Sequence, residues 1–210
     1  MLAVPAVVKK AVWFYPSLGY NLARNALQGD AWPWYTRVDQ LVLLGALPFK
    51  SMQQQLVDEE RVGGVVSLVE EHEIAHAWAM DSQFCSSLGL RHLWRPSVDL
   101  VGEGCSLRQL REAVLFIQGF GGSGLSVYVH CKAGRTRSAM VVGAYLIEKH
   151  SWSARLAVER LESLRHVRLS ERHSRQLERY AELYAADDEQ RKRLADTQLD
   201  VQAPESDAAT

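Results

Sequence analysis

The chain has 210 residues, 47% of them hydrophobic, enough for one well-cored domain with short tails, and its formal net charge of −1 argues neither for nor against nucleic acid, so any anion binding must come from a local cluster. Its three cysteines, Cys85, Cys105 and Cys131, are odd in number and widely spaced, which excludes a disulfide framework, and with no CxxC pair they offer no cysteine zinc site. No apolar run reaches the length needed to span a bilayer.

The first 29 residues contain Lys9, Lys10 and Arg24 but no acid before Asp30, together with Val12, Trp13, Phe14, Tyr15, Leu18 and Tyr20. A basic, acid-free, aromatic-rich stretch suits a targeting or membrane-interface segment over residues 1–31, either a mitochondrial transit segment or an interfacial anchor. A peripheral helix packed on the domain is the alternative. A secretory signal fits less well, because the lysines and Pro16 interrupt a short apolar stretch. Residues 41–45 and 64–69 are apolar runs bounded by Gly or Pro and predict buried strands, with 90–94 a weaker third. Ser106 can cap a helix to about Gln118, with Leu107, Leu110, Val114 and Ile117 at helical spacing. Glycines break it, residues 125–129 alternate as a strand, and 137–149 read as a helix. Ser153 and Ser170 then cap two more helices, the second carrying Leu177, Tyr180, Ala181 and Tyr184. Beyond Asp187 the chain turns polar and loses periodicity, as a disordered tail over 187–210 would. No internal repeat is visible. Strands, then strand–loop–helix, then helices predict one α/β layer domain over residues 32–186, a central sheet flanked by helices.

The loop between the 125–129 strand and its following helix reads His130-Cys131-Lys132-Ala133-Gly134-Arg135-Thr136-Arg137-Ser138. A loop of this length at a helix N-terminus can turn the N–H groups of Lys132, Ala133, Gly134, Arg135, Thr136 and Arg137 inward as a ring that binds a phosphate dianion. Gly134 tolerates positive φ and adds no Cβ to crowd the anion. Arg137 supplies a planar fork for two phosphate oxygens. The same field favours the thiolate of Cys131, which makes it the candidate nucleophile. Ser138 can donate to that thiolate as it leaves, and His130 orients the loop without acting as base. Asp99, in an upstream loop, is the candidate general acid, able to turn base in the second half-reaction. Lys132 and Arg135 add cations that favour a heavily anionic substrate.

Two further features need weighing. His72-Glu73-Ile74-Ala75-His76 matches the zinc-protease pattern HExxH, a short pattern that arises often by chance, and the downstream Gly and third His of its extended form are absent. Glu70, Glu71 and Glu73 follow the 64–69 strand directly, where acids can brace the arginines of the phosphate loop. The chemistry calls for no metal and no cofactor.

With these residues in place, the chain resembles the cysteine-dependent phosphatase superfamily, in its dual-specificity branch, and within it the mitochondrial tyrosine-phosphatase-like enzymes that act on phosphatidylglycerophosphate. The resemblance runs over most of residues 12–185. It rests on Trp34-Tyr35 leading to Val42-Leu43-Leu44-Gly45-Ala46-Leu47-Pro48, on Glu70-Glu71-His72-Glu73, on Val98-Asp99, on the loop from His130 to Ser138, and on Phe14-Tyr15-Pro16. Two positions depart from that pattern: His72 stands where tyrosine is usual, and Val101 where threonine is usual. The resemblance implies Cys131 as nucleophile, Arg137 as phosphate ligand, Asp99 as acid, and the acidic segment at 70–73 as brace. It also implies hydrolysis of the terminal monoester of an anionic phospholipid at a membrane surface, on the matrix side of the mitochondrial inner membrane. Phosphotyrosine and phosphoserine/threonine proteins are the alternative substrates. A monomer without nucleic-acid partners is expected.

Overall fold

The computed structural model of the chain describes residues 6–98 and 104–183, with side chains from Phe14 onward. Five strands form one sheet in the order β1-β2-β5-β3-β4, where β1 is Tyr35–Arg37, β2 Val42–Gly45, β3 Val62–Ser67, β4 Arg91–Trp94 and β5 Ser126–His130. β2, β5, β3 and β4 run parallel, and β1 is an antiparallel edge strand. The helices are α1 Ala6–Gln28, α2 Glu71–Ile74, α3 Ser82–Ser87, α4 Leu107–Gln118, α5 Arg137–His150 and α6 Ala154–Leu164, followed by α7 over residues 171–183.

The central strands are fully buried because both faces of the sheet are covered, which is why they read as unbroken apolar runs. On one face Val42, Leu44, Val66, Val127 and Val129 meet Leu110, Val114 and Ile117 of α4, Met140 and Tyr145 of α5, Leu161 of α6 and Leu177 of α7. On the other, Leu43, Val65 and Tyr128 pack with Leu56, Met80 and Cys85. The cap at Ser106 forms as expected, with its Oγ accepting from the Gln109 N–H at 3.2 Å in a reciprocal capping box. Ser153 likewise accepts from the Leu156 N–H at 3.3 Å and starts α6.

One expectation changes. The strand foreseen at 64–69 starts at Val62 and ends at Ser67, since Leu68 and Val69 leave the sheet towards α2. The N-terminal segment is one helix that continues through Pro16, and it lies on the domain. Its Phe14 and Leu18 are buried against Leu47, Val69, Ile74 and Ala79 at the carboxyl end of the sheet. Among the described residues no helix is long and apolar enough to cross a membrane. The polar stretch 187–210 and Tyr184 lie outside the described residues.

Candidate active site

Parallel strands deliver their carboxyl ends to one edge, and the loop from His130 to Arg137 sits there between β5 and the N-terminus of α5. The first-turn N–H groups of α5, which have no partners within the helix, open towards that loop. Gly134 has φ of +68°, and a Cβ there would lie 2.5 Å from the Gly45 carbonyl carbon and oxygen and 2.8 Å from the Ala46 nitrogen. Only glycine lets the loop press so closely on the end of β2. Gly45 is needed for a similar reason, because a Cβ on it would fall 2.0 Å from the Tyr128 hydroxyl. That hydroxyl donates to the Ala46 carbonyl at 2.8 Å and fixes the platform.

Cys131 is 3% exposed, and the Ser138 hydroxyl donates to its Sγ at 3.3 Å. Arg137 is 1% exposed and meets Glu73 through both terminal nitrogens, Nη1 to Oε2 at 2.7 Å and Nη2 to Oε1 at 3.1 Å. Its Nη1 also donates to the carbonyls of Leu68 at 3.1 Å and Ser97 at 3.0 Å. A guanidinium held in this way by a carboxylate and two carbonyls keeps its charge in a buried setting. Lys132, also buried, places Nζ 3.8 Å from Glu73 Oε1. The structure therefore brings Cys131, Lys132, Arg137, Ser138 and Glu73 into one constellation.

The sequence over residues 62–182 matches the family described as Dual specificity phosphatase, catalytic domain. The chain belongs to that family. It is 44% identical over 161 residues, 75% of this chain and 79% of the relative, to the Homo sapiens protein named Phosphatidylglycerophosphatase and protein-tyrosine phosphatase 1. It is 38% identical to the Arabidopsis thaliana Phosphatidylglycerophosphate phosphatase PTPMT2 over 154 residues, 73% of this chain and 64% of that protein. Among solved structures, that of PTPMT1 in complex with PI(5)P superposes with a TM-score of 0.69 at 36% identity, covering 73% of this chain and 98% of the other. This dual-specificity phosphatase is thus a phosphoric monoester hydrolase, with the fold its sequence implied.

Around the phosphatase loop the other expected residues divide. Glu73 braces the loop cations. Glu70 is the N-cap of α2, sharing a capping box in which Glu73 Oε2 accepts from the Glu70 N–H at 2.8 Å, while Glu71 is exposed to solvent. The helix that HExxH would need stops at Ile74, and His76 instead stacks on Phe14 and on Trp78 at 4.9 and 4.8 Å. With Glu73 committed to Arg137, the zinc-protease arrangement does not form. Among the described residues no group of three or more His, Cys, Asp or Glu side chains is placed to hold a metal. Asp99 lies outside the described residues, although Ser97, two positions before it, is tied to Arg137.

Among the described residues no acid pairs with Arg135. Its Nε donates to the His166 carbonyl at 3.0 Å and its guanidinium lies 4.5 Å over the Trp32 ring, which Arg24 of α1 also approaches at 4.3 Å. Burial, and then the charges of Arg168 and Arg24, hold its pKa below the usual arginine range. Thr136 Oγ1 donates to the Arg168 carbonyl at 3.0 Å, and the Arg168 N–H to the Arg135 carbonyl at 2.8 Å, so the segment after α6 clamps this side of the loop. Arg165 in that segment reaches under the loop to the carbonyls of Leu44 and Pro33. Sequence reading missed Trp32, Arg165 and Arg168, although the basic run Arg165-His166-Val167-Arg168 was a visible sign.

His130 is fully buried in a polar chain that sequence reading also missed. Four contacts link Ser82 to the Cys131 carbonyl: Ser82 Oγ to His92 Nδ1 at 2.7 Å, His92 Nε2 to Ser67 Oγ at 2.7 Å, Ser67 Oγ to His130 Nε2 at 2.5 Å, and His130 Nδ1 to the carbonyl at 3.4 Å. One direction satisfies every donor: each serine hydroxyl donates to a histidine and each histidine N–H passes on to the next oxygen. Burial lowers the pKa of His92 to about 4 and of His130 to about 3. Both rings are neutral at physiological pH, so His130 orients the loop rather than acting as a charged acid. Cys105 also backs the loop, with its Sγ 3.4 Å from the donating Ser97 hydroxyl and 3.6 Å from the Arg137 carbonyl to which it donates. Burial pushes the Cys85 and Cys105 thiols up to about 11, so both stay protonated thiols at neutral pH.

Proposed function

We propose that this phosphatase removes the terminal phosphate of phosphatidylglycerophosphate through a phosphocysteine intermediate on Cys131. The observation that carries the reading is the 44% identity, over three-quarters of the chain, to a relative named as a phosphatidylglycerophosphatase. In the first step Cys131 Sγ bonds to phosphorus as the bond to the lipid alkoxide breaks, and Asp99 gives that alkoxide its proton. The N–H ring of residues 132–137 and the Arg137 guanidinium take the phosphoryl charge. Water then attacks phosphorus and gives its proton to Asp99, and the S–P bond breaks to a thiolate that Ser138 stabilises. The products are phosphatidylglycerol and inorganic phosphate. The cations Lys132, Arg135 and Arg168 beside the loop suit a head group that carries a phosphodiester as well as the reacting monoester.

The domain acting in this way spans 32–186, with the N-terminal segment directing it to the matrix face of the mitochondrial inner membrane. Support for that setting comes from the segment's basic, acid-free composition. The domain acts as a monomer and without a cofactor. A second reading, hydrolysis of phosphotyrosine and phosphoserine/threonine proteins by the same chemistry, is favoured by the protein-tyrosine phosphatase half of the human relative's name.

The test is phosphate release from phosphatidylglycerophosphate and from phosphopeptides, side by side and in EDTA. Faster turnover of the lipid is expected, with no effect of the chelator, loss of activity in Cys131→Ser, and a loss of roughly 10²–10⁴-fold in kcat for Asp99→Asn. Activity that survives Cys131→Ser overturns the mechanism, and faster peptide turnover overturns the substrate.

A further inference from the structure

A second basic surface lies beside the loop, outside the catalytic constellation. A groove of about 660 Å³ runs between the start of α4, where Arg108 stands, and the α7 residues Arg172, Arg175, Gln176 and Arg179. The three α7 arginines recur at i, i+3 and i+7 and so form one stripe, and they and Arg108 are exposed. Arg108 sits in the first turn of α4, at the positive end of the helix dipole, with no acid in that turn to offset it. Arg108 does pair with Glu112 at 2.9 Å and Arg175 with Glu171 at 3.4 Å, but exposed pairs of this kind are weak, and Glu112 is shared with Arg95. One turn beyond Arg179, the stripe ends in Leu183, an apolar side chain 57% exposed.

The groove is joined to the active site. The Gln176 side-chain amide donates to the Cys105 carbonyl, and the Cys105 thiol donates to the Arg137 carbonyl. Both helices begin at the carboxyl end of the sheet, where the phosphate loop opens. Arginine forks on a shallow surface, followed by an exposed leucine, match the interface of an anionic bilayer, where guanidinium groups meet phosphodiesters and the apolar side chain enters the acyl boundary.

We infer that this groove docks the protein on an anionic phospholipid bilayer, holding the mouth of the phosphate loop against the membrane that carries the substrate. The inference rests on the lipid-phosphatase reading above. Its test is co-sedimentation of the full chain with phosphatidylcholine vesicles made with and without phosphatidylglycerol, a lipid that carries no phosphate monoester. Tight binding is expected only with phosphatidylglycerol, weakening as salt screens the charges. Arg172→Gln, Arg175→Gln and Arg179→Gln together should lower vesicle affinity by on the order of 100-fold, roughly fivefold for each arginine. Arg108→Gln, on the other helix, should lower it roughly fivefold alone. Thermal melts matched to the unsubstituted chain exclude misfolding as the cause. Unchanged vesicle binding in the triple variant overturns the docking surface, as does a variant that keeps vesicle binding while losing affinity for an acidic phosphopeptide. Hydrolysis of phosphatidylglycerophosphate in detergent micelles tests the lipid-phosphatase reading separately, because no bilayer is present.

Discussion

Glu73 holds two cations at once while 1% exposed, so its carboxylate braces Lys132 and Arg137 together. Glu73→Gln keeps the shape and removes this carboxylate charge from the buried Arg137 guanidinium. The expected cost is about 3–5 kcal/mol of stability together with a fall in turnover, read by urea denaturation and phosphate release. A variant as stable and active as the parent would dismiss the bracing role. Sequence reading placed three glutamates near the loop but had no means to choose among them. The choice is made by a helix of four residues that turns Glu73 inward, sets Glu70 at the cap and leaves Glu71 in water. That Cys131, Ser138 and Arg137 would lie together was legible because they are neighbours in the chain. Ser82, His92 and Ser67 were not, since they join His130 only when three parallel strands bring distant residues together.

Among the elements, α1 takes the form of the alternative given for it, a helix packed on the domain. Its composition points to an address or an anchor, yet Phe14 and Leu18 fill a core cluster of the domain and Phe14 stacks on His76 just past α2. The same helix therefore supports the turn that presents Glu73. Phe14→Ala should cost about 3–5 kcal/mol, the usual range for a buried phenylalanine, and should reduce turnover of a small soluble phosphate ester as α2 loosens. Denaturation midpoints with esterase rates check this, and an unaltered midpoint would mean that the helix rests on the domain without supporting it. The strands and long helices were legible from apolar runs and serine caps. β1 was not: Tyr35-Thr36-Arg37 has three residues, half-buried or exposed, too short for alternation to show.

At the scale of the whole molecule, two neutral histidines, the buried His130 and the half-buried His92, link stability to pH. In the folded chain burial holds His92 near 4 and His130 near 3, whereas an unfolded histidine titrates near 6.5. Below 6.5 the unfolded chain binds protons that the folded chain refuses, so stability is present in full above that value and is lost as pH falls towards the folded pKa values. Urea denaturation should show a loss of about 2 kcal/mol per histidine between pH 7 and pH 5, and His92→Gln should flatten part of that slope. Equal stability of the unsubstituted chain at the two pH values would show that the rings are not held neutral.

Arg24, Arg135 and Arg168 come from α1, the phosphate loop and the segment after α6, and two of them share the Trp32 ring. This is a cluster of like charges that the fold holds together against their repulsion. An anion that binds the folded loop and ignores the unfolded chain relieves that repulsion and raises stability by mass action. Free orthophosphate, the product of the reaction, is such an anion. The melting temperature of this enzyme should therefore rise with the phosphate in its buffer, and thermal melts in graded orthophosphate at constant ionic strength check this.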